Sequence, residues 1–260
     1  MNISVSSLNA QGFFDWNDRK GAIVDYYTDQ NPDIIFLQEV TYIPEESPYT
    51  QASLMRKMLP LYGYESSSVS RLQDSPHYPQ YREGLAVISK FPISYSETLV
   101  LKRDPNDEHL RLVQLVDVVI EGRIVKFANI HFSITDQTEK YAREQLKEVC
   151  EILSVRGERR IMCGDFNMKD ITIHRDLWQD DYVAPHDQKL VTYPAEDKQV
   201  DYFLVPKDFV IKAIDVSVDG LSDHRALTAT IVVPDFRSDE STGRIAASVQ
   251  KAKRLFSYSR

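Results

Sequence analysis

Pro32-Asp33-Ile34-Ile35-Phe36-Leu37-Gln38-Glu39 is the stretch on which the fold turns. Its four apolar residues run without the alternation of a half-buried strand and are bounded by Pro32, so they read as a strand covered on both faces. Upstream, residues 3–9 alternate like a strand. Between the two, Ile23, Tyr26 and Tyr27 recur at helical spacing up to a stop at Asn31-Pro32. Downstream, a second helix takes in Leu54, Met55, Met58 and Leu59. Strand signals follow at 85–89, 112–120 and 124–130, the last two joined by a hairpin turn at Glu121-Gly122-Arg123.

Thr135 is placed to cap a helix whose buried face carries Ala142, Leu146, Val149 and Leu153 and which ends near Gly157. Further strands are expected at 160–163, 200–205, 210–216 and 226–233. Eight or more strands with three or four helices, in mixed order, fit an α/β sandwich of two face-to-face sheets with helices outside.

Composition bounds the function. With 42% apolar and 27% charged residues, the 260-residue chain can bury a core and is read as one globular catalytic domain over 1–234. No run approaches the roughly 20 apolar residues that cross a bilayer, and no basic-then-apolar leader opens the chain, so a cytoplasmic address is expected. Cys150 and Cys163 sit in core-like segments and read as free thiols. A net charge of −8 opposes tight, nonspecific binding to long nucleic acid without excluding a local basic groove. Past Pro234 the composition changes to a basic extension, 235–260, with Arg244, Lys251, Lys253, Arg254 and Arg260. It reads as a helical or disordered surface extension, or alternatively as a basic amphipathic helix making peripheral membrane or partner contact.

Six segments place an acid, amide or imidazole at a strand end: Leu8-Asn9, Gln38-Glu39, Asn129-Ile130-His131, Gly164-Asp165-Phe166-Asn167, Val200-Asp201 and Ser222-Asp223-His224. Taken singly, most have a structural explanation: a solvated glutamate, an Asx turn, a strand-end histidine. Together they supply a near-neutral base, a carboxylate to hold it and hard oxygen ligands, the set phosphoester hydrolysis requires. In such a site His131 would donate to a nonbridging oxygen, with Lys126 and Asn129 on its strand looking outward. Tyr81 and Arg82, with Glu83 and His77, are candidate substrate contacts in a loop before residue 85. Trp16 and Trp178 read as core or rim packing.

These segments, in this order, resemble the endonuclease/exonuclease/phosphatase superfamily, the deoxyribonuclease I-like group. Gly-Asp-Phe-Asn and Ser-Asp-His carry the resemblance most strongly, supported by Pro32-Asp33-Ile34-Ile35, Glu83-Gly84-Leu85-Ala86-Val87 and Thr192-Tyr193-Pro194. It implies a four-layer α/β sandwich whose two sheets are mixed or mostly antiparallel. It further implies Mg2+, with Mn2+ able to substitute, held by Glu39 with Asn9 and Asp223 nearby. Asp201 would orient His224, as general base or phosphate holder. Asp165 and Asn167 would align nucleophile and leaving oxygen, and His131 would contact the phosphate.

The expected reaction is in-line attack of water on a nucleic-acid or nucleotide-like phosphodiester. A phospholipid or phosphomonoester hydrolase of the same fold is the alternative, and a catalytically dead binding module is a third reading. Lys198-Gln199-Val200-Asp201 departs from the Trp-Cys-Asp-Arg signature of the inositol 5-phosphatases and disfavours that branch.

Overall fold

A parallel strand pair lies at the centre of each of two sheets. The computed structural model describes residues 1–73, 81–105, 107, 109–134, 138–185 and 190–234; the 235–260 extension, His77 and the expected Thr135 cap lie outside them. Among the described residues there are twelve strands. In chain order the first six are β1 (Asn2–Asn9), β2 (Ile34–Tyr42), β3 (Tyr64–Gln73), β4 (Tyr81–Ser89), β5 (Ile93–Val100) and β6 (Leu112–Ile120). The second six are β7 (Arg123–His131), β8 (Ile161–Asp165), β9 (Tyr182–Val183), β10 (Asp201–Pro206), β11 (Val210–Val216) and β12 (Leu227–Val232). They form two six-stranded sheets, in the orders β11-β12-β1-β2-β4-β3 and β5-β6-β7-β8-β10-β9.

Only β1 with β2 and β7 with β8 pair in parallel. Parallel neighbours cannot be joined by a tight turn, and each pair is bridged by a long helix, α1 (Trp16–Gln30) or α3 (Lys140–Arg156). Two shorter helices, α2 (Gln51–Met58) and α4 (Arg175–Trp178), complete the set. Asn31 and Gly157, both with left-handed backbone, close α1 and α3 where the sequence places their stops. Glu121 and Gly122, with φ of 50° and 75°, make the two-residue hairpin turn between β6 and β7.

Three apolar layers separate four layers of structure. Ile34 and Phe36 enter the core between the sheets with Phe127, Ile161, Cys163 and Phe203. Ile35 and Leu37, on the other face of β2, pack with Ile23 and Tyr27 of α1 and Met55 of α2. Leu146, Val149 and Leu153 of α3 cover Ala128, Ile130 and Met162 on the second sheet. The uninterrupted apolar run of β2 is therefore a strand with both faces buried, and the molecule is a four-layer α/β sandwich with mixed sheets. Trp16 and Trp178 are buried in the two outer layers. No helix among the described residues is long and apolar enough to cross a membrane.

Three local expectations need correction. Glu39 does not end its strand: β2 continues to Tyr42 beyond a bulge in which Gln38 and Glu39 oppose a single residue of β4. Asn129 does not look outward. It shares the inner face of β7 with Phe127, accepts from Gln38 Nε2 at 2.7 Å and donates to the carbonyls of Leu37 and Ala86 at 3.1 Å, as part of a buried polar patch between the sheets. Lys126, by contrast, is half-buried and ion-paired with Glu158. Finally, residues 81–84 are strand, not loop.

Candidate active site

The carboxyl ends of both parallel pairs point the same way, and Asn9, Glu39, His131 and Asp165 stand on them. Local backbone features bring these side chains together. The β2 bulge puts Glu39 at φ 52° and turns its carboxylate out of the pleat into the cleft. At Gly164, with φ 136°, a Cβ would lie 2.1 Å from Ile130 O. The glycine thus lets β8 run close against β7 and sets Asp165 in register with His131. Asn167 N donates to Asp165 Oδ1 at 2.9 Å, and Asn167 Nδ2 donates to Phe132 O at 2.9 Å, which locks the turn after β8.

Asn9 Nδ2 donates to Glu39 Oε1 at 3.2 Å and to Asp165 Oδ2 at 3.1 Å, joining the two sheets. His224 Nδ1 meets Asp201 Oδ2 at 2.9 Å, while His224 Nε2 lies 3.8 Å from Asp165 Oδ2. Thr192 fixes this pair from behind. Its Oγ1 accepts from Val200 N at 3.0 Å and Asp201 N at 3.1 Å, and its carbonyl accepts from Arg225 N at 2.7 Å. Ser222 Oγ ties the opposite side by donating to Asn9 O at 2.7 Å and accepting from His224 N at 2.8 Å.

Burial pushes the Asp165 carboxyl above its ordinary range; the His224 cation and the bond from Asn9 oppose that shift without cancelling it. For His224, burial disfavours the charged ring, but the carboxylates of Asp201, Asp165 and Asp223 outweigh it and raise the imidazole to about 10.

Seven of the eight residues expected to form the core of the site, Asn9, Glu39, His131, Asp165, Asn167, Asp223 and His224, line one cleft of about 730 Å³. Asp201, fully buried, sits behind His224. Tyr81 and Arg82 fall outside the lining; Glu83, the next residue along β4, is the one that reaches it. Sequence reading assigned no role to His109, Arg111, Ile134, Glu139, Lys169 or Lys198, which also line the cleft. For Arg111 a signal existed, because it immediately precedes the residue of β6 that pairs with His131.

The donor chemistry fits a hard divalent cation. Glu39 and Asp223 bring carboxylates to the cleft beside the Asn9 amide, and Asp223 Oδ1 is buried without a hydrogen-bond partner. A second grouping, Asp165, Asp201 and His224, brings one ligand-type atom from each within 4.8 Å of the others. Its imidazole is already bonded to Asp201 and all three residues are buried, whereas Glu39 is the accessible carboxylate, the better place for an ion that keeps several waters.

Solved structures share this architecture. The endonuclease/exonuclease/phosphatase from Beutenbergia cavernae DSM 12333 matches with a TM-score of 0.77 at 18% identity, over 89% of this chain and 72% of that one. D. rerio TDP2 complexed with single strand DNA product matches at 0.67 and 18%, over 89% and 99%. Sphingomyelinase C from Streptomyces griseocarneus matches at 0.66 and 18%, over 88% and 99%. No curated protein sequence matches the chain. The sequence pattern of the Endonuclease/Exonuclease/phosphatase family does match, over residues 6–224, a span that runs from within β1 to His224 and takes in every residue of the cleft; the chain belongs to that family.

Proposed function

We propose that the chain is a divalent-metal-dependent phosphoester hydrolase, using Mg2+ with Mn2+ as a substitute, that cleaves a nucleic-acid or nucleotide-like phosphodiester by in-line attack of water. The observation that carries this reading is the convergence of Glu39, Asn9 and Asp165 with the Asp201-His224 pair in one cleft. Glu39, Asn9 and Asp223 are the residues that would hold the ion. Once bound, the cation supplies positive charge against the negative charge that develops on the phosphoryl oxygens.

The chain's own groups do the rest. His224, kept protonated by Asp201, donates to a phosphoryl or leaving oxygen, and its raised value favours that role over proton abstraction. Asp165, its carboxyl raised by burial, accepts the proton of the attacking water. Asn167 orients that water, and Asp201 fixes the ring of His224.

The acids on the cleft wall, Glu39, Glu83, Glu139, Asp165, Glu196 and Asp223, outnumber its bases Arg111, Lys169 and Lys198. This balance favours a short or compact ester over a long polyanion. A phospholipid or phosphomonoester is the second reading, favoured by the same charge balance. The deciding experiment is a screen of oligonucleotides, nucleotides, phospholipids and model diesters with Mg2+, Mn2+ or EDTA, using wild type, Glu39→Ala and His224→Ala. Metal-dependent cleavage of one class, lost in both variants, is expected. Wild-type cleavage of none of them refutes the reading.

A further inference from the structure

By strict alternation Glu39 would follow Ile35 and Leu37 onto the face of β2 that α1 and α2 cover. The next residue on that face is instead Val40, which packs in the same apolar layer as Ile35 and Leu37. The bulge takes up one residue, and Glu39 is the one released toward the cleft. Its φ of 52° is a conformation that a residue with a long side chain rarely adopts, so the surroundings must hold it there.

What holds it lies on the opposite sheet. Leu37 and Ala86 are the last paired residues before the bulge, and Asn129 Nδ2 of β7 donates to both of their carbonyls at 3.1 Å. Carbonyl oxygens only accept, so the Asn129 amide turns its Nδ2 toward them and its Oδ1 away. That oxygen accepts from Gln38 Nε2 at 2.7 Å, and the same nitrogen donates to Ser7 Oγ of β1 at 3.1 Å. Gln38 is itself one of the two bulge residues, and its carbonyl accepts from Ala10 N at 2.9 Å. Both amides are fully buried, where such bonds are shielded from water and hold their partners firmly. His131 stands two residues beyond Asn129 on β7, so the clasp ties together the strands that carry Glu39 and His131.

We propose that Asn129 and Gln38 are positioning residues: their amide pair, bridging the two sheets, holds the β2 bulge and through it aims the Glu39 carboxylate into the cleft. The proposal deepens the metal-dependent reading above and rests on it for what Glu39 holds. An amide pair that merely filled the core could be exchanged for apolar side chains of similar shape without moving Glu39.

The test is the crystal structure of the full chain in EDTA with calorimetric titration by Mn2+. It compares wild type, Asn129→Leu, the double variant Gln38→Met/Asn129→Leu, and Ile231→Ala, a truncation in the same core layer on β12. The double variant leaves neither amide without its partner, so it keeps the question answerable if Asn129→Leu alone fails to fold. In both Asn129 variants Glu39 should lose its positive φ and its 3.2 Å bond from Asn9 Nδ2. Mn2+ should bind them about 10- to 100-fold more weakly. Ile231→Ala should lose stability with neither change. In the wild type, the side-chain amide protons of Asn129 and Gln38 should be protected from exchange in 15N spectra. Freely exchanging amides, a Glu39 unmoved in the double variant, or Mn2+ affinity there within about twofold of wild type would each overturn the proposal. A displaced Glu39 in a protein whose wild type binds no Mn2+ would sink the metal-dependent reading and leave this one standing; Mn2+-dependent ester hydrolysis with Glu39 unmoved would do the reverse.

Discussion

Asp201 Oδ2 lies 2.9 Å from His224 Nδ1, and the two residues belong to opposite sheets, Asp201 opening β10 and His224 leading into β12. The bond therefore both crosses the sandwich and sets the charge of the ring. Replacing Asp201 with Asn removes the charge that outweighs burial, so the pKa of His224 falls from about 10. If protonated His224 holds the phosphate, the alkaline limb of kcat/KM moves to lower pH by at least about one unit, and kcat drops about 100-fold or more. A pH–rate profile with an NMR titration of the ring checks this; an unmoved limb removes His224 from that role. The folded value lies above the unfolded one, so the pair's contribution to stability is full below 6.5 and is lost as pH rises toward about 10. In EDTA, the stability gap between wild type and His224→Asn should narrow across that window.

Arg19 of α1 secures the segments beside Asn9 and Asp223, two of the residues proposed to hold the ion. It donates to Leu221 O at 2.7 Å, beside Ser222-Asp223-His224, and to Ala10 O at 3.1 Å, beside Asn9, with further bonds to the carbonyls of Gly12 and Phe14. Arg19→Lys keeps the charge but cannot span both loops. It should cost about 1–3 kcal/mol in urea unfolding and lower kcat more than it raises KM. A variant with wild-type kcat and reduced stability would make Arg19 structural only.

Two glycines should respond in opposite directions to the same change. Gly164→Ala drives a Cβ into the Ile130 carbonyl in a backbone conformation that alanine resists, so a loss of about 3 kcal/mol or more is expected. Gly21→Ala, in α1 with nothing within 4 Å of the new methyl, should gain about 0.5–1 kcal/mol. Chemical denaturation of both variants in parallel decides the matter, and a neutral Gly164→Ala would mean that the close approach of β8 to β7 is not needed.

The sequence made legible whatever depends on burial pattern along one element. β2 could be read because both of its faces are covered, and α3 because Leu146, Val149 and Leu153 form one stripe. The strands β3 and β5 went unread: they lie on sheet edges, rich in serine, where half-exposed positions give no apolar signal. An amide in a strand reads as solvated, yet Asn129 is satisfied by Gln38 and by carbonyls of the facing sheet, partners far away in sequence. The carboxylates and imidazoles of the cleft were legible as residue types at strand ends. The Glu39 bulge was not, because it exists only through the pairing of β2 with β4, which local patterns do not encode.

Glu39 separates the two possible positions for the ion. Adding Mg2+ or Mn2+ to protein in which a cation binds the folded state alone stabilises it by about 2.7 kcal/mol at 100 times Kd, a rise in Tm of about 5 °C or more for a chain of this length. Glu39→Gln keeps the shape of the side chain and an acceptor for the Asn9 amide, so the fold should persist. The metal-induced rise should nevertheless disappear, because an amide is a far weaker ligand than a carboxylate for a hard cation. Asp201→Asn, which alters the buried grouping with Asp165 and His224, should leave most of the rise in place. The opposite pattern, a rise that survives Glu39→Gln and vanishes with Asp201→Asn, would move the ion to the buried grouping and take Glu39 out of its coordination sphere.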